Sequence, residues 1–341
     1  MTYAPIIIPT LSRDVHFIRL LESLRRNSWA KFTDVYVGLD YPPSDAHKDG
    51  YNKICAYLDN SFSEFNELIV IKQKKNIGSS TNLRNLINVV TEKYDRFIKT
   101  DDDAEFSPNF LEYMNICLEK YKDDPDIIAV TGYSYPIGWK TSEGATILKE
   151  NFSCPMWGTG FWREKYREAY DFIAVERRLG TGVGSIIKYR AINEMLDVAK
   201  YEFINLCLSP DFEKTLAARM SDVSFRMYTA IQKKYIIVPT VSKVRNWGFD
   251  GTGVYCPKLS IIGSKVVAGN YDYAVQAIDS SDHFILREDT LEDNEWNRKL
   301  MNEFDPLSMS KRLKMKIKLI LFHIVGHKGF NKLTYFVRRF R

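Results

Sequence analysis

Short apolar runs alternate, through the first 135 residues, with stretches whose apolar positions recur every three or four residues. The first pattern predicts buried strands and the second amphipathic helices. Ala4 to Ile8 is the first strand, and Phe17, Leu20, Leu21 and Leu24 mark the helix that follows the loop Pro9 to Asp14. Val35 to Leu39 and Leu68 to Ile71 predict the next two strands. Asn76-Ile77-Gly78-Ser79-Ser80 then reads as a turn and cap, ahead of a helix with Leu83, Leu86, Ile87 and Val90 inward and Arg84 on another face. Arg96 to Thr100 is the fourth strand. Ser107 and Pro108 open a helix whose buried face carries Leu111, Met114, Leu118 and Tyr121, and Ile127 to Thr131 is the fifth strand. This alternation predicts an α/β fold: a mostly parallel central sheet flanked by helices, with polar residues collected at the carboxyl ends of the strands.

The second half is less regular. Phe152 to Trp162, FSCPMWGTGFW, predicts an aromatic loop in which Gly158 and Gly160 let backbone approach a ligand, although a tight turn under an aromatic cluster would look the same. Gly180, Gly182 and Gly184 follow no strand and precede no Lys-Ser or Lys-Thr, so they predict a linker rather than a phosphate loop. Ser221 and Asp222 open a helix containing Val223, Met227 and Ile231, and Tyr235 to Val238 is a further strand. Val241 to Cys256, with three glycines near Trp247 and Asp250, predicts a mobile loop that orders over a ligand.

Charge changes this picture mainly at one end. The 341-residue chain has a net charge of +5, but its last 34 residues, from Ser308, hold ten Lys and Arg and no acid. The rest carries 38 basic against 43 acidic residues, which argues against a nucleic-acid partner and for one local electrostatic contact made by the C-terminus. There, Leu313, Ile317, Ile320, Leu321 and Ile324 form an apolar stripe at helical period among Lys311, Arg312, Lys314, Lys316 and Lys318. That is the pattern of a basic amphipathic helix on an anionic membrane surface; a helix docked on the protein's own body is the alternative. Five cysteines without metal-ligand spacing read as reduced thiols, and Met1 leads almost directly into the first strand. The expected location is cytoplasmic, peripheral on the inner face of the cell membrane. Apolar content of 45% argues against disorder.

The candidate chemistry sits where the fourth strand ends, in Lys99 to Pro108, KTDDDAEFSP. Asp101, Asp102 and Asp103 repel one another unless solvated or bridged by a cation. Hard carboxylate oxygens on a short loop suit Mg²⁺ or Mn²⁺ that also holds a diphosphate. A solvated turn before a helix start is the plainer reading of three acids alone. Asp40, at the end of the second strand, suits either a base or ribose contact or a turn before Pro42 and Pro43.

In these residues the chain resembles the GT-A glycosyltransferases, both the large bacterial inverting group and the N-acetylglucosaminyltransferase I type. In the latter an apolar strand leads to an acidic triplet and an S/A-P-x-F-x-E-Y helix, here DDDAEFSPNFLEY. The resemblance extends to about Cys256 and implies a Rossmann-like GT-A fold. It implies Thr10 and Arg13 as donor-binding positions, Arg13 on the diphosphate, with Asp40 on the uracil, Asp101 and Asp102 along the ribose and sugar, and Asp103 on the metal. Asn76 and Arg84 belong to NIGSSTNLRN, similar to an Asn-x-Gly…Arg-Asn element of the bacterial group but with one residue more between Gly78 and Arg84. Gly158, Gly160 and Trp162 resemble the family's donor-sugar loop, Trp247 lies in the segment that closes over donor, and Asp222 matches the catalytic base. Asp101 stands where that type has Glu, and Ser221 where it has Trp.

The implied activity is inverting, metal-dependent transfer from a nucleotide sugar, in the first place a UDP-sugar, to a glycan or lipid-linked glycan in bacterial surface polysaccharide synthesis. Its expected organisation is a catalytic domain over 1–307, divided at 135 and 260, and a membrane-associating tail over 308–341. A sugar-phosphate nucleotidyltransferase would want a Gly-rich loop after the first strand, and Pro9 to Asp14 holds no glycine. A non-catalytic, membrane-tethered glycan- or nucleotide-binding module is the remaining alternative.

Overall fold

The computed structural model describes residues 2–178, 232–248, 277–291 and 295–304 without a break, and isolated positions elsewhere between 225 and 333. The chain forms two compact units, one of residues 1–150, 155–166 and 235–293, the other of 151–154, 167–234 and 294–341.

The first unit is built on an eight-stranded sheet. In chain order its elements are β1 (Ile6–Thr10), α1 (Asp14–Arg25), β2 (Asp34–Leu39), α2 (Lys48–Leu58), β3 (Glu67–Lys72), α3 (Ser79–Lys93), β4 (Arg96–Lys99), β5 (Ala104–Phe106) and α4 (Phe110–Lys120). There follow β6 (Ile127–Thr131), β7 (Ile147–Glu150), β8 (Thr159–Trp162), the start of α5 (Arg163–Arg178), β9 (Tyr235–Pro239) and β10 (Val244–Asn246). The sheet order is β3-β2-β1-β4-β8-β6-β9-β7. β1, β2, β3 and β4 pair in parallel, β8 runs against both β4 and β6, β9 is parallel to β6, and β7 is antiparallel to β9. The sheet is therefore mostly parallel and carries two reversed strands.

Continuous apolar runs make the central strands because both faces are covered. Ile6, Ile7, Ile8, Val35, Val37 and Leu39 are fully buried, and full burial of such a side chain contributes about 2 kcal/mol. Phe17, Leu20, Leu21 and Leu24 of α1 are buried as their spacing predicts. In α3 the buried positions are Asn82, Leu86 and Val90.

Three elements differ from the sequence reading in ways that shape the site. The helix expected to begin at Ser107 begins at Phe110, because Ala104–Phe106 is drawn into β5, which pairs with β10 in a separate two-stranded sheet. Part of the segment read as an unstructured loop, Val244–Asn246, is thus a strand. The aromatic stretch read as a loop contains β8, whose Thr159 to Trp162 lie opposite Lys99 to Arg96.

In the second unit Tyr228 donates a hydrogen bond to Glu168 at 2.8 Å, Phe172 packs edge-on against Tyr228, and Arg298 of α6 (Glu295–Phe304) contacts Asn151 at 3.0 Å. Among the described residues no helix is long and apolar enough to cross a membrane.

Candidate functional site

Parallel strands deliver their carboxyl ends to one edge, and the polar residues that follow β1, β2 and β4 meet there. The backbone N–H of Asp40, just past β2, donates to the carbonyl of Thr10 at 2.9 Å, which ties the ends of β1 and β2 together. The acidic loop then hangs between the end of β4 and the β5·β10 ribbon.

Asp102 and Asp103 are turned inward and buried; Asp101 is partly exposed. The Thr10 hydroxyl donates to Asp102 Oδ2 at 2.9 Å. Arg13, from the β1–α1 loop, bridges both acids: Nη1 donates to Asp103 Oδ2 at 2.9 Å, and Nη2 contacts Asp102 Oδ1. Burial is the largest influence on Asp103 and, helped by Asp101 and Asp102, lifts its carboxyl to about 7 despite the Arg13 guanidinium. Asp102, also buried, is raised for the same first reason.

The Asp103 Oδ1 atom is buried and has no hydrogen-bond partner among the described residues. An orphaned carboxylate oxygen in the interior is costly, and a hard cation is the partner its chemistry suits. No group of three or more His, Cys, Asp or Glu able to hold a metal occurs among the described residues. A Mn²⁺ or Mg²⁺ ion that takes one or two carboxylates and the remaining ligands from phosphate and water needs no such group. The residues present therefore fit a divalent ion held by Asp103.

From the other side the site is covered by the segment after β10. The Trp247 N–H donates to the Asp103 carbonyl at 2.8 Å, and its indole N–H donates to Glu105 at 2.7 Å. The Arg19 guanidinium lies 4.3 Å from the Trp247 ring centroid, a cation–π contact. His16 Nε2 is 3.3 Å from the Trp247 carbonyl and 3.1 Å from Asp250 Oδ2. Gly248 passes so close to the acidic loop that a Cβ there would fall 2.1 Å from Asp103 Oδ2.

The structure thus brings Thr10, Arg13, Asp102, Asp103 and Trp247 together, with Asp101 on the same loop. Asp40 and Asn76 form an adjoining cluster, but not as expected. Asp40 accepts from the backbone of Tyr41, Ile77 and Gly78 and from the Asn76 amide, at 2.9, 3.0, 2.9 and 3.2 Å. Those four donors fill a carboxylate's acceptor sites, so Asp40 shapes the turn before α3 and has no free lone pair for uracil. Arg84 lies on the exposed face of α3.

Of the donor-sugar loop expected at Gly158, Gly160 and Trp162, Gly158 precedes Thr159, which pairs with Lys99 at the acidic-loop end of β4, but Trp162 is corrected. Trp162 pairs with Arg96, at the opposite end of β4 from the acidic loop, and its indole N–H donates to the Leu118 carbonyl at 3.1 Å. Gly160 is needed for packing, since a Cβ would meet Met114 at 2.8 Å and Leu118 at 3.0 Å. Gly158, at φ +61°, makes the turn into β8, and its carbonyl accepts from Gly132 N–H at 2.7 Å. Asp222, with Gly180, Gly182 and Gly184, lies outside the described residues.

Sequence reasoning passed over His16, Glu105 and Lys99. His16 follows Arg13 by three residues, one turn of helix, which was a usable signal. Lys99 is 7% exposed and has no hydrogen-bond or ion-pair partner among the described residues.

No family model matches the sequence, and no curated protein matches it. Solved structures do show similarity. One is the mannosyltransferase PcManGT from Pyrobaculum calidifontis, in complex with GDP-Man and Mn²⁺: 16% identical, covering 48% of this chain and 46% of that one, with a TM-score of 0.34. Another is S. aureus TarS 1–349 in complex with UDP-GlcNAc: 16% identical, covering 42% and 39%, with a TM-score of 0.31. The chain matches less than half the length of each.

Proposed function

We propose that this chain is a glycosyltransferase that moves a sugar from a nucleotide sugar, in the first place a UDP-sugar, to a hydroxyl of a glycan or lipid-linked glycan of the bacterial surface. The observation that carries the reading is the buried pair Asp102 and Asp103 at the carboxyl edge, bridged by Arg13, with Asp103 Oδ1 unpaired among the described residues. Two acids and an arginine in one enclosure can bind a cation and an anion together, which is what a metal-bound diphosphate presents.

Each residue's task follows from its surroundings. Thr10 fixes the Asp102 carboxylate through its hydroxyl. Arg13, already held against both acids, is in reach of a diphosphate oxygen beside them. Trp247 and Gly248 close the acidic loop off from water, and His16 steadies them through the Trp247 carbonyl and Asp250. When bound at Asp103, a divalent ion supplies charge neutralisation for the leaving diphosphate. Transfer proceeds as a single displacement. The acceptor hydroxyl oxygen bonds to the anomeric carbon from the face opposite the diphosphate, the bond from that carbon to the diphosphate oxygen breaks, and the hydroxyl proton passes to a carboxylate, with inversion at the anomeric centre.

Asp222 is the residue we assign as that base. Asn caps a helix about as well as Asp but takes no proton. In an assay of nucleoside diphosphate release, acceptor-dependent turnover is expected for the native chain and a drop of roughly 10²- to 10⁴-fold for Asp222→Asn, with donor binding kept. Equal turnover in the two proteins would remove Asp222 from the chemistry, and no acceptor-dependent release with any nucleotide sugar would remove the transferase reading itself.

A further inference from the structure

The transfer site gives the C-terminal stretch no task. Every described position in it, 309–310, 313–314, 317, 321, 324–325, 329 and 332–333, is helical. Leu313, Ile317, Leu321 and Ile324 succeed one another by four, four and three residues, the spacing of one helix face. That face is not packed against the protein: the four side chains are 59, 49, 41 and 72% exposed. Aliphatic groups left in water forfeit much of the gain that burial provides, so a continuous row of them points to a missing apolar partner.

The charge says which partner. Ten Lys and Arg and no acid occupy residues 308–341. By helical period Lys314 and Lys316 flank the aliphatic row, one on each side. A second copy of the same segment would bring ten more positive charges, with no acid on either copy to offset them, and so repel itself. A surface that is apolar inside and negatively charged outside satisfies both halves of the pattern, and a bilayer with anionic headgroups is such a surface. The helix does not need to span it.

We propose that this helix is an interfacial anchor: Leu313, Ile317, Leu321 and Ile324 enter the acyl boundary of an anionic lipid surface while the lysines and arginines face its phosphates. Anchoring holds the protein where lipid-linked molecules lie. It does not depend on the activity assigned to the rest of the chain, so its failure leaves that reading untouched.

Sedimentation of the full chain with phosphatidylcholine vesicles, with and without phosphatidylglycerol, tests the anchor directly. Binding is expected only with phosphatidylglycerol and should be lost in high salt. The double variant Leu313→Asp, Ile317→Asp, at exposed positions, should keep its melting temperature and bind at least about tenfold more weakly. A variant with Lys311, Lys314, Lys316 and Lys318 changed to Gln should weaken binding by about fivefold per lysine removed. Equal sedimentation with neutral and anionic vesicles, or unchanged binding by the Asp variant, would overturn the proposal. So would a lowered melting temperature or a smaller oligomer in the Asp variant, since either would mean that protein covers this face.

Discussion

Asp103 answers to two demands that its neighbours meet only in part: one carboxylate oxygen is held by Arg13 and the other is enclosed with nothing to bind. Burial lifts its pKa to about 7, so near neutral pH it retains a proton for part of the time until a cation arrives. The sign is that of a raised acid: the proton is bound below about 7 and must leave when an ion takes its place. Mn²⁺ affinity should therefore climb with pH up to about 7 and level off above it, and calorimetry at pH 7 in buffers of different ionisation enthalpy should register about half a proton released. Identical heats in all buffers would contradict this. At this scale the sequence drew notice to the acid triplet, because three adjacent carboxylates require a counter-charge wherever they fold, but it pointed to a metal ion, and the pairing of Arg13 with Asp102 and Asp103 is a feature of the fold. It was a poor guide to Asp40, three of whose four donors come from a turn 36 to 38 residues away, and to His16, whose partners Trp247 and Asp250 are joined to it only by the tertiary fold.

Among the elements, what was legible follows from length and period. β1 to β4, α1, α3 and α4 announced themselves by unbroken apolar runs or helical spacing. β5 and β10 are three residues each, too short to show alternation, and exist because they pair with one another. β8 was mistaken for a loop because Gly158 just before it and Gly160 within it suggest one, whereas Gly160 is there to admit Met114 and Leu118. That same error carried Trp162 to the wrong end of the sheet. α2 left little trace because only Ile54 and Leu58 of its eleven residues are buried. The fit between Gly248 and the acidic loop can be tested at this level. In Gly248→Ala the added methyl would lie 2.1 Å from Asp103 Oδ2, so the segment after β10 must lift. Amide exchange at Trp247 should accelerate by about tenfold or more while the β1–β2 amides stay protected. Unchanged protection at Trp247 would mean that the segment is not seated as described.

For the molecule as a whole, the 277–291 segment is fastened to the rest of the sheet unit by an ion pair between buried Lys243 and half-buried Asp279. Asn109 also donates to Asp279 at 3.1 Å, and the Lys243 ammonium lies over the rings of Phe284 and Tyr113. Burial alone would raise the Asp279 carboxyl, but Lys243, the Ser281 backbone N–H and Asn109 together hold it down to about 2. A depressed acid gives stability that is complete above its unfolded value near 4 and is lost as pH falls through 2. After allowance for solvent screening the pair contributes about 1 kcal/mol, so urea midpoints should fall between pH 4 and pH 2 and do so less steeply in Asp279→Asn. Parallel pH profiles would remove the pair from the account.

The central claim is that the acidic loop after β4 holds a nucleoside diphosphate together with a divalent ion, and titration calorimetry of UDP in the presence and absence of Mn²⁺ reaches it most directly. The native chain is expected to bind UDP at least about tenfold more tightly with Mn²⁺ than without it, and Asp103→Ala, measured at a temperature where circular dichroism finds it folded, is expected to lose that difference. UDP affinity that is the same with and without Mn²⁺ in the native chain, or a Mn²⁺ effect that survives in Asp103→Ala, would contradict it.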